Sequence, residues 1–191
     1  NTEADEDDPH VADGGKTLYW TVTKKGKDDI CFATRSALGT AWPRAGKLTE
    51  GYIASKGDDR SVFATSGRFP HYLYFGSKKG EKSKNFDLYV AVRQDLGRVW
   101  TAPTPVMNVN TAEDELHPWL SGDGRSLYFS RRTKDGWRVF VATRKDTTGP
   151  GHLGEPTDAG LPAGHHHATL TPNGPALDRQ GPLVEGPPGH C

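Results

Sequence analysis

One short segment occurs three times in this 191-residue chain at a nearly constant spacing. The three copies are Leu18-Tyr19-Trp20, Leu73-Tyr74-Phe75 and Leu127-Tyr128-Phe129, and their leucines are 55 and 54 residues apart. A period near 50 residues with several strands in each period is typical of β-propeller blades. Helical solenoids have shorter repeats with a 3.6-residue periodicity, so the spacing argues against them.

The sequence of each repeat copy predicts four strands. In the third copy the first strand is 117–121, the second is 126–130 after an Asp-Gly turn, and the third is 137–143. A tryptophan and a proline precede a weaker fourth strand, as in Trp42-Pro43. The sequence therefore predicts an all-β chain, a β-propeller region of four-stranded antiparallel blades with three full blades and a partial fourth. The expected blades are 5–57, 58–111, 112–163 and 164–191.

Composition agrees with short strands and turns. Only 34% of the residues are apolar, and the 23 glycines and 14 prolines favour turns over helix interiors. Lys and Arg together number 24, as do Asp and Glu, so net charge gives no case for nucleic acid. No apolar run reaches 18 residues, and no transmembrane segment is expected.

The third copy resembles the WD40-like (PD40) repeat of TolB-type β-propellers, whose core has the form Pro-x-x-Ser-x-Asp-Gly-x-x-Leu-x-Phe. The matching stretch begins at Pro118 and ends at Phe129. The second copy departs from this form, with Ser61 at the expected proline and a longer hairpin. The resemblance implies a propeller fold, but propellers of this type serve as periplasmic partners, ligand-binding modules or peptidase appendages.

A fourth copy begins at His166 and then loses the pattern in a tail rich in Gly and Pro that ends at Cys191. Closed propellers have four to eight blades, and unpaired strand edges invite association. The sequence therefore favours a fragment of a larger propeller or a subunit whose open blade edge is covered by another protein. The first cysteine, Cys31, is expected to be buried as a small apolar residue.

Counting back from the repeated leucines predicts a polar ring at one mouth of the propeller. Its members are Asp8, Arg60, His117 and His167, with acidic neighbours that include Asp59 and Glu115. One interpretation is a site for a polar ligand such as a carbohydrate. Another is a divalent metal site of Asp8, His117 and His167, since two imidazoles and a carboxylate suit zinc. The structural alternative, in which these residues orient turns and solvate the entrance, is favoured, and no cofactor is expected.

The sequence contains none of the common catalytic motifs, such as Gly-x-Ser-x-Gly or His-Glu-x-x-His. We therefore expect a non-catalytic protein-interaction or scaffold module, in the periplasm, outside the cell, or peripherally bound to a membrane complex. The alternatives are a metal- or carbohydrate-binding propeller, possibly enzymatic, and an appendage of a longer enzyme. The two cysteines are equally compatible with the cytoplasm.

Overall fold

A computed structural model describes residues 3–43, 45–47, 53–67, 70–79, 84–95, 99–147, 149–150 and 153–164. These residues form twelve strands and one 3-10 turn at Asp13–Gly15. The strands are β1 (Asp5–Ala12), β2 (Thr17–Lys24), β3 (Lys27–Thr34), β4 (Gly46–Lys47), β5 (Asp59–Ala64), β6 (His71–Ser77), β7 (Asp87–Arg93), β8 (Thr104–Pro105), β9 (Glu115–Leu120), β10 (Ser126–Thr133), β11 (Gly136–Thr143) and β12 (Thr157–Asp158).

Four consecutive strands form each sheet. The first sheet contains β1 to β4, the second β5 to β8 and the third β9 to β12, with antiparallel pairing between neighbours. The all-β fold and the four-stranded antiparallel sheets are therefore confirmed. The strands of the three sheets lie within 5–47, 59–105 and 115–158, inside the three ranges expected for full blades. The expected fourth copy falls outside the described residues.

The sheets pack on one another in chain order. The first strand of the second sheet, β5, contacts β1, β2 and β3, and the first strand of the third sheet, β9, contacts β5, β6 and β7. Strand alternation sends successive side chains to opposite faces, so the middle sheet serves two cores. Leu73 and Phe75 face the first sheet, whereas Tyr72 and Tyr74 face the third. Every residue of β6 is accordingly buried.

The repeated aromatic pair follows the same rule in each sheet. Tyr19 packs toward the second sheet, and Phe129 packs toward it from the other side. Their neighbours Trp20 and Tyr128 point to the outer faces of the first and third sheets and are half-buried. Large aromatic side chains of the repeat therefore fill the space between sheets where a neighbouring sheet is described.

Cys31 is not buried as expected. Its side chain is only partly buried, because Cys31 pairs with Trp20 in the register and therefore lies on the outer face of the first sheet. The other cysteine, Cys191, lies outside the described residues. Within the described ranges, no helix is long and apolar enough to cross a membrane.

Candidate functional site

The first strand of each sheet contains a β-bulge at the equivalent position of the repeat. The register shifts between Asp7 and His10 in β1, and between Arg60 and Phe63 in β5. It shifts again in β9, between the partners of Ser130 and Tyr128. A bulge adds an unpaired residue and redirects its side chain. The three bulges therefore place equivalent side chains at one end of the stacked sheets.

The bulged residues share an uncommon backbone conformation. Asp8, Ser61 and His117 have φ values of 51°, 56° and 53°, in the left-handed region that favours glycine. Asp and His tolerate this region better than most residues, and Ser61 is held there by two contacts. Its backbone N–H donates to Thr21 Oγ1 at 3.2 Å, and its Oγ donates to Asp8 Oδ2 at 2.8 Å.

This register corrects one prediction. Sequence counting placed Arg60 level with Asp8 and His117, whereas the structure places Ser61 there and Val62 at the expected proline. The reason is hairpin length. The register pairs Ala64 with Leu73 but Leu120 with Leu127, so the second hairpin is two residues longer than the third. Counting had assumed three extra residues.

Arg60 nevertheless reaches the predicted cluster from the neighbouring position. Its Nη2 lies 3.5 Å from Asp8 Oδ2 and 3.1 Å from Asp7 Oδ2, and its Nη1 lies 3.4 Å from Asp28 Oδ2. His117 Nε2 lies 3.7 Å from Asp8 Oδ1. Three of the four predicted site residues are therefore brought together, whereas His167 lies outside the described residues. We call Asp7, Asp8, Asp28, Arg60, Ser61 and His117 the mouth cluster.

The mouth cluster brings together polar and charged side chains from all three sheets. Asp7, Asp8 and Asp28 belong to the first sheet, Arg60 to the second and His117 to the third. The side chains of Asp8 and His117 are only 6% and 10% exposed, so these polar groups meet away from bulk water. These contacts fix the sheets relative to one another at this end.

The predicted metal site receives little support from this geometry. Asp8 Oδ2 already accepts a hydrogen bond from Ser61 and faces the Arg60 guanidinium, which competes with a cation for the same oxygen. Among the described residues, no group of three or more His, Cys, Asp or Glu side chains is arranged to hold a metal. A metal site completed by His167 stays a prediction. If it exists, zinc titration should show binding by the natural chain that is lost in the His117→Ala and His167→Ala variants.

Two of the expected acidic neighbours do not join the mouth cluster. Asp59 and Glu115 are buried, at equivalent register positions, and each caps the turn that precedes its own strand. Asp59 accepts hydrogen bonds from the Ser55 backbone and hydroxyl, and Glu115 accepts the same pair from Thr111. Burial raises the pKa of both carboxyls. The spacing Ser/Thr-x-x-x-Asp/Glu is the sequence pattern that could have predicted these capped turns.

His10 provides a pH-sensitive contact beside the mouth. Its ring packs 4.7 Å from the Phe63 ring, between centroids, and its Nε2 donates to Ala64 O at 2.9 Å across the first two sheets. Burial lowers the pKa of His10 below its ordinary value of 6.5. The unfolded chain therefore binds a proton more readily than the folded one, so this contribution to stability is present above pH 6.5 and is lost as the pH falls.

We accordingly expect His10→Gln to flatten part of the loss of stability on acidification. The Gln amide can donate to the same carbonyl without titrating. Urea unfolding of both proteins at neutral pH and at about pH 5.5, below the ordinary His pKa, measures the effect. A stability difference between the two proteins that stays constant over this range would contradict the assignment.

The outer face of the first sheet carries a second candidate surface. A broad, open groove runs across it, and we call its apolar floor the outer groove. The floor residues are Pro9, Leu18, Trp20, Val22, Cys31 and Trp42. No sequence feature marks this surface, because Trp20 occupies the same position of the repeat as Phe75 and Phe129.

The described residues form stacked, four-stranded antiparallel sheets with a polar cluster at one end and an apolar groove on the outer face of the first sheet. A scan against protein-family models and a search of the curated proteins both found no match.

Proposed function

We propose that this chain is a β-propeller-type module that binds another protein, with the outer groove as its contact surface. The blade order, the repeated bulges and the shared sheet-to-sheet packing support the propeller arrangement. The resemblance of the repeat to TolB-type propellers supports a role in the periplasm or outside the cell.

The observation that carries the proposal is the chemistry of the outer groove. Trp20 and Trp42 line an open apolar face, and tryptophan is enriched at the energetic centres of protein interfaces. In the mouth cluster, by contrast, Arg60 is paired with Asp8 and Asp28 inside the molecule. This arrangement suits a rigid scaffold better than an acid–base centre. Apolar faces of this kind mark interaction sites in folded proteins.

Trp20→Glu tests this proposal, because a charge in the middle of the groove should abolish association and leave the internal cores intact. We expect the natural protein, purified under native conditions, to have a mass well above that of one chain by light scattering. The Trp20→Glu variant should have the mass of a single chain. Val99→Glu is the control, since Val99 is 65% exposed in the connection between β7 and β8 and lies outside the groove.

Thermal unfolding of the three proteins separates loss of binding from loss of folding. All three proteins should unfold in one cooperative transition, and the two that keep the partner should melt at a higher temperature than Trp20→Glu, because a partner that binds the folded state stabilises it. A natural protein that is purified as a single chain with the same mass as Trp20→Glu would refute the interaction module.

A further inference from the structure

The outer groove has the same construction as a face that is already packed twice within this molecule. In the register, Leu18 is equivalent to Leu73 and Leu127, and Trp20 is equivalent to Phe75 and Phe129. In the second and third sheets these positions are buried against the preceding sheet. The groove is therefore the receiving half of the sheet-to-sheet interface that the repeat forms.

The complementary half is also defined by the internal packing. Each preceding sheet presents the tyrosine of the repeated segment, Tyr19 toward the second sheet and Tyr74 toward the third. The groove has a smaller side chain at one position than the two filled faces, because Cys31 stands where the pairing register places Tyr89 and Phe140. A tyrosine-bearing sheet with a bulky side chain opposite Cys31 would fill this space.

The charges around the outer groove set a second requirement for its occupant. At the filled interface, Arg60 of the second sheet faces Asp7, Asp8 and Asp28 of the first. At the groove the position of Arg60 is taken by Asp7, whose exposed carboxylate also pairs with Arg60 across the first two sheets. The adjoining rim contains three further acids, Glu3, Asp5 and Glu6, against two lysines, Lys24 and Lys25. The rim is net acidic, so its occupant needs basic side chains at this end.

We infer that the outer groove receives a four-stranded sheet of this same repeat type, supplied by a separate polypeptide chain. That sheet presents a tyrosine-bearing face, and it carries Lys or Arg where the first sheet carries Asp8 and Asp28. The inference rests on the proposed function and names the kind of partner that the groove takes.

Site-specific photocrosslinking in the native source of the full chain tests the inference. Trp20→p-benzoylphenylalanine places the reactive group on the groove floor, and Val99→p-benzoylphenylalanine is the control outside it. We expect a cross-link only from position 20, to a peptide of another chain. Sequencing should place that peptide in a Leu-Tyr-aromatic repeat with Lys or Arg close to it.

A charge reversal on the rim tests the electrostatic part. Asp5→Lys, combined with the photoreactive group at position 20, should lower the cross-link yield about fivefold, as expected when an exposed ion pair becomes a like-charge contact. Asp135→Lys at the exposed β10–β11 turn is the control and should leave the yield unchanged. An unchanged yield with Asp5→Lys would overturn the basic occupant.

The outcomes also separate this inference from the proposed function. A cross-link to a protein without the repeat, or within the same molecule, overturns the inference. In the first case the interaction module stands. No cross-link from position 20, together with a natural protein that has the mass of one chain, overturns both.

Discussion

Phe75→Ala is expected to lower the free energy of unfolding by about 3–5 kcal/mol, the usual cost of removing a buried phenylalanine. Phe75 is 1% exposed and packs in the core between the first two sheets, where its ring lies 6.3 Å from that of Tyr89. The cavity cannot collapse easily, because both walls are hydrogen-bonded sheets. Urea unfolding of the full chain measures the change.

The repeat supplies a matched control for this substitution. Trp20 occupies the position of Phe75 in the first sheet but lies on the outer groove. Trp20→Ala should therefore cost clearly less in the isolated chain, despite the larger side chain removed. Equal losses for the two variants would mean that the groove floor is part of a core, and would contradict the description of the groove as an interaction surface.

The strands could be predicted from the sequence because their signal is local. Runs of β-forming residues between Asp-Gly and Lys-Gly turns recur at a fixed period, and the structure places strands at those positions. The fourth strands were predicted only from the preceding tryptophan and proline. They have two residues each, which is too short for a pattern of their own.

The bulge register could not be predicted because no residue type marks it. A glycine in the sequence usually indicates a bulge residue with left-handed backbone conformation. Here the three residues with that conformation are Asp8, Ser61 and His117. Their conformations are imposed by contacts between sheets, such as the Ser61 bonds to Thr21 and Asp8. Counting through a hairpin of unknown length therefore moved the prediction by one residue, to Arg60.

The burial of acidic residues at equivalent positions could not be predicted from the sequence either. Glu6, Asp59 and Glu115 share one register position, and only the last two are buried. Sequence alone treated acidic residues near the bulges as one group around the mouth. Whether a carboxylate turns outward or caps a buried turn depends on the preceding residues and on its cross-strand partner, which is Val22 for Glu6 and Arg131 for Glu115.

The Arg131 partnership leads to the second large effect. Glu115→Ala is expected to lower the free energy of unfolding by about 3–5 kcal/mol, because it leaves a buried cation without its counter-charge. Arg131 Nε donates to Glu115 Oε1 at 2.8 Å, and the Arg131 side chain is only 15% exposed. The substitution also removes the acceptor for the Thr111 backbone and hydroxyl donors.

A control and a rescue identify the cause of that loss. Glu6→Ala changes the same register position on the exposed strand and should alter stability by no more than about 0.5 kcal/mol. Combining Glu115→Leu with Arg131→Met removes both charges and fills the space with apolar groups, which should recover much of the stability lost by Glu115→Ala. If the double variant is as unstable as Glu115→Ala, the loss comes from the broken turn at Thr111 rather than from the uncompensated arginine. Chemical unfolding of the four proteins at one pH decides between these causes, because the carboxyl that titrates is absent from both Glu115 variants.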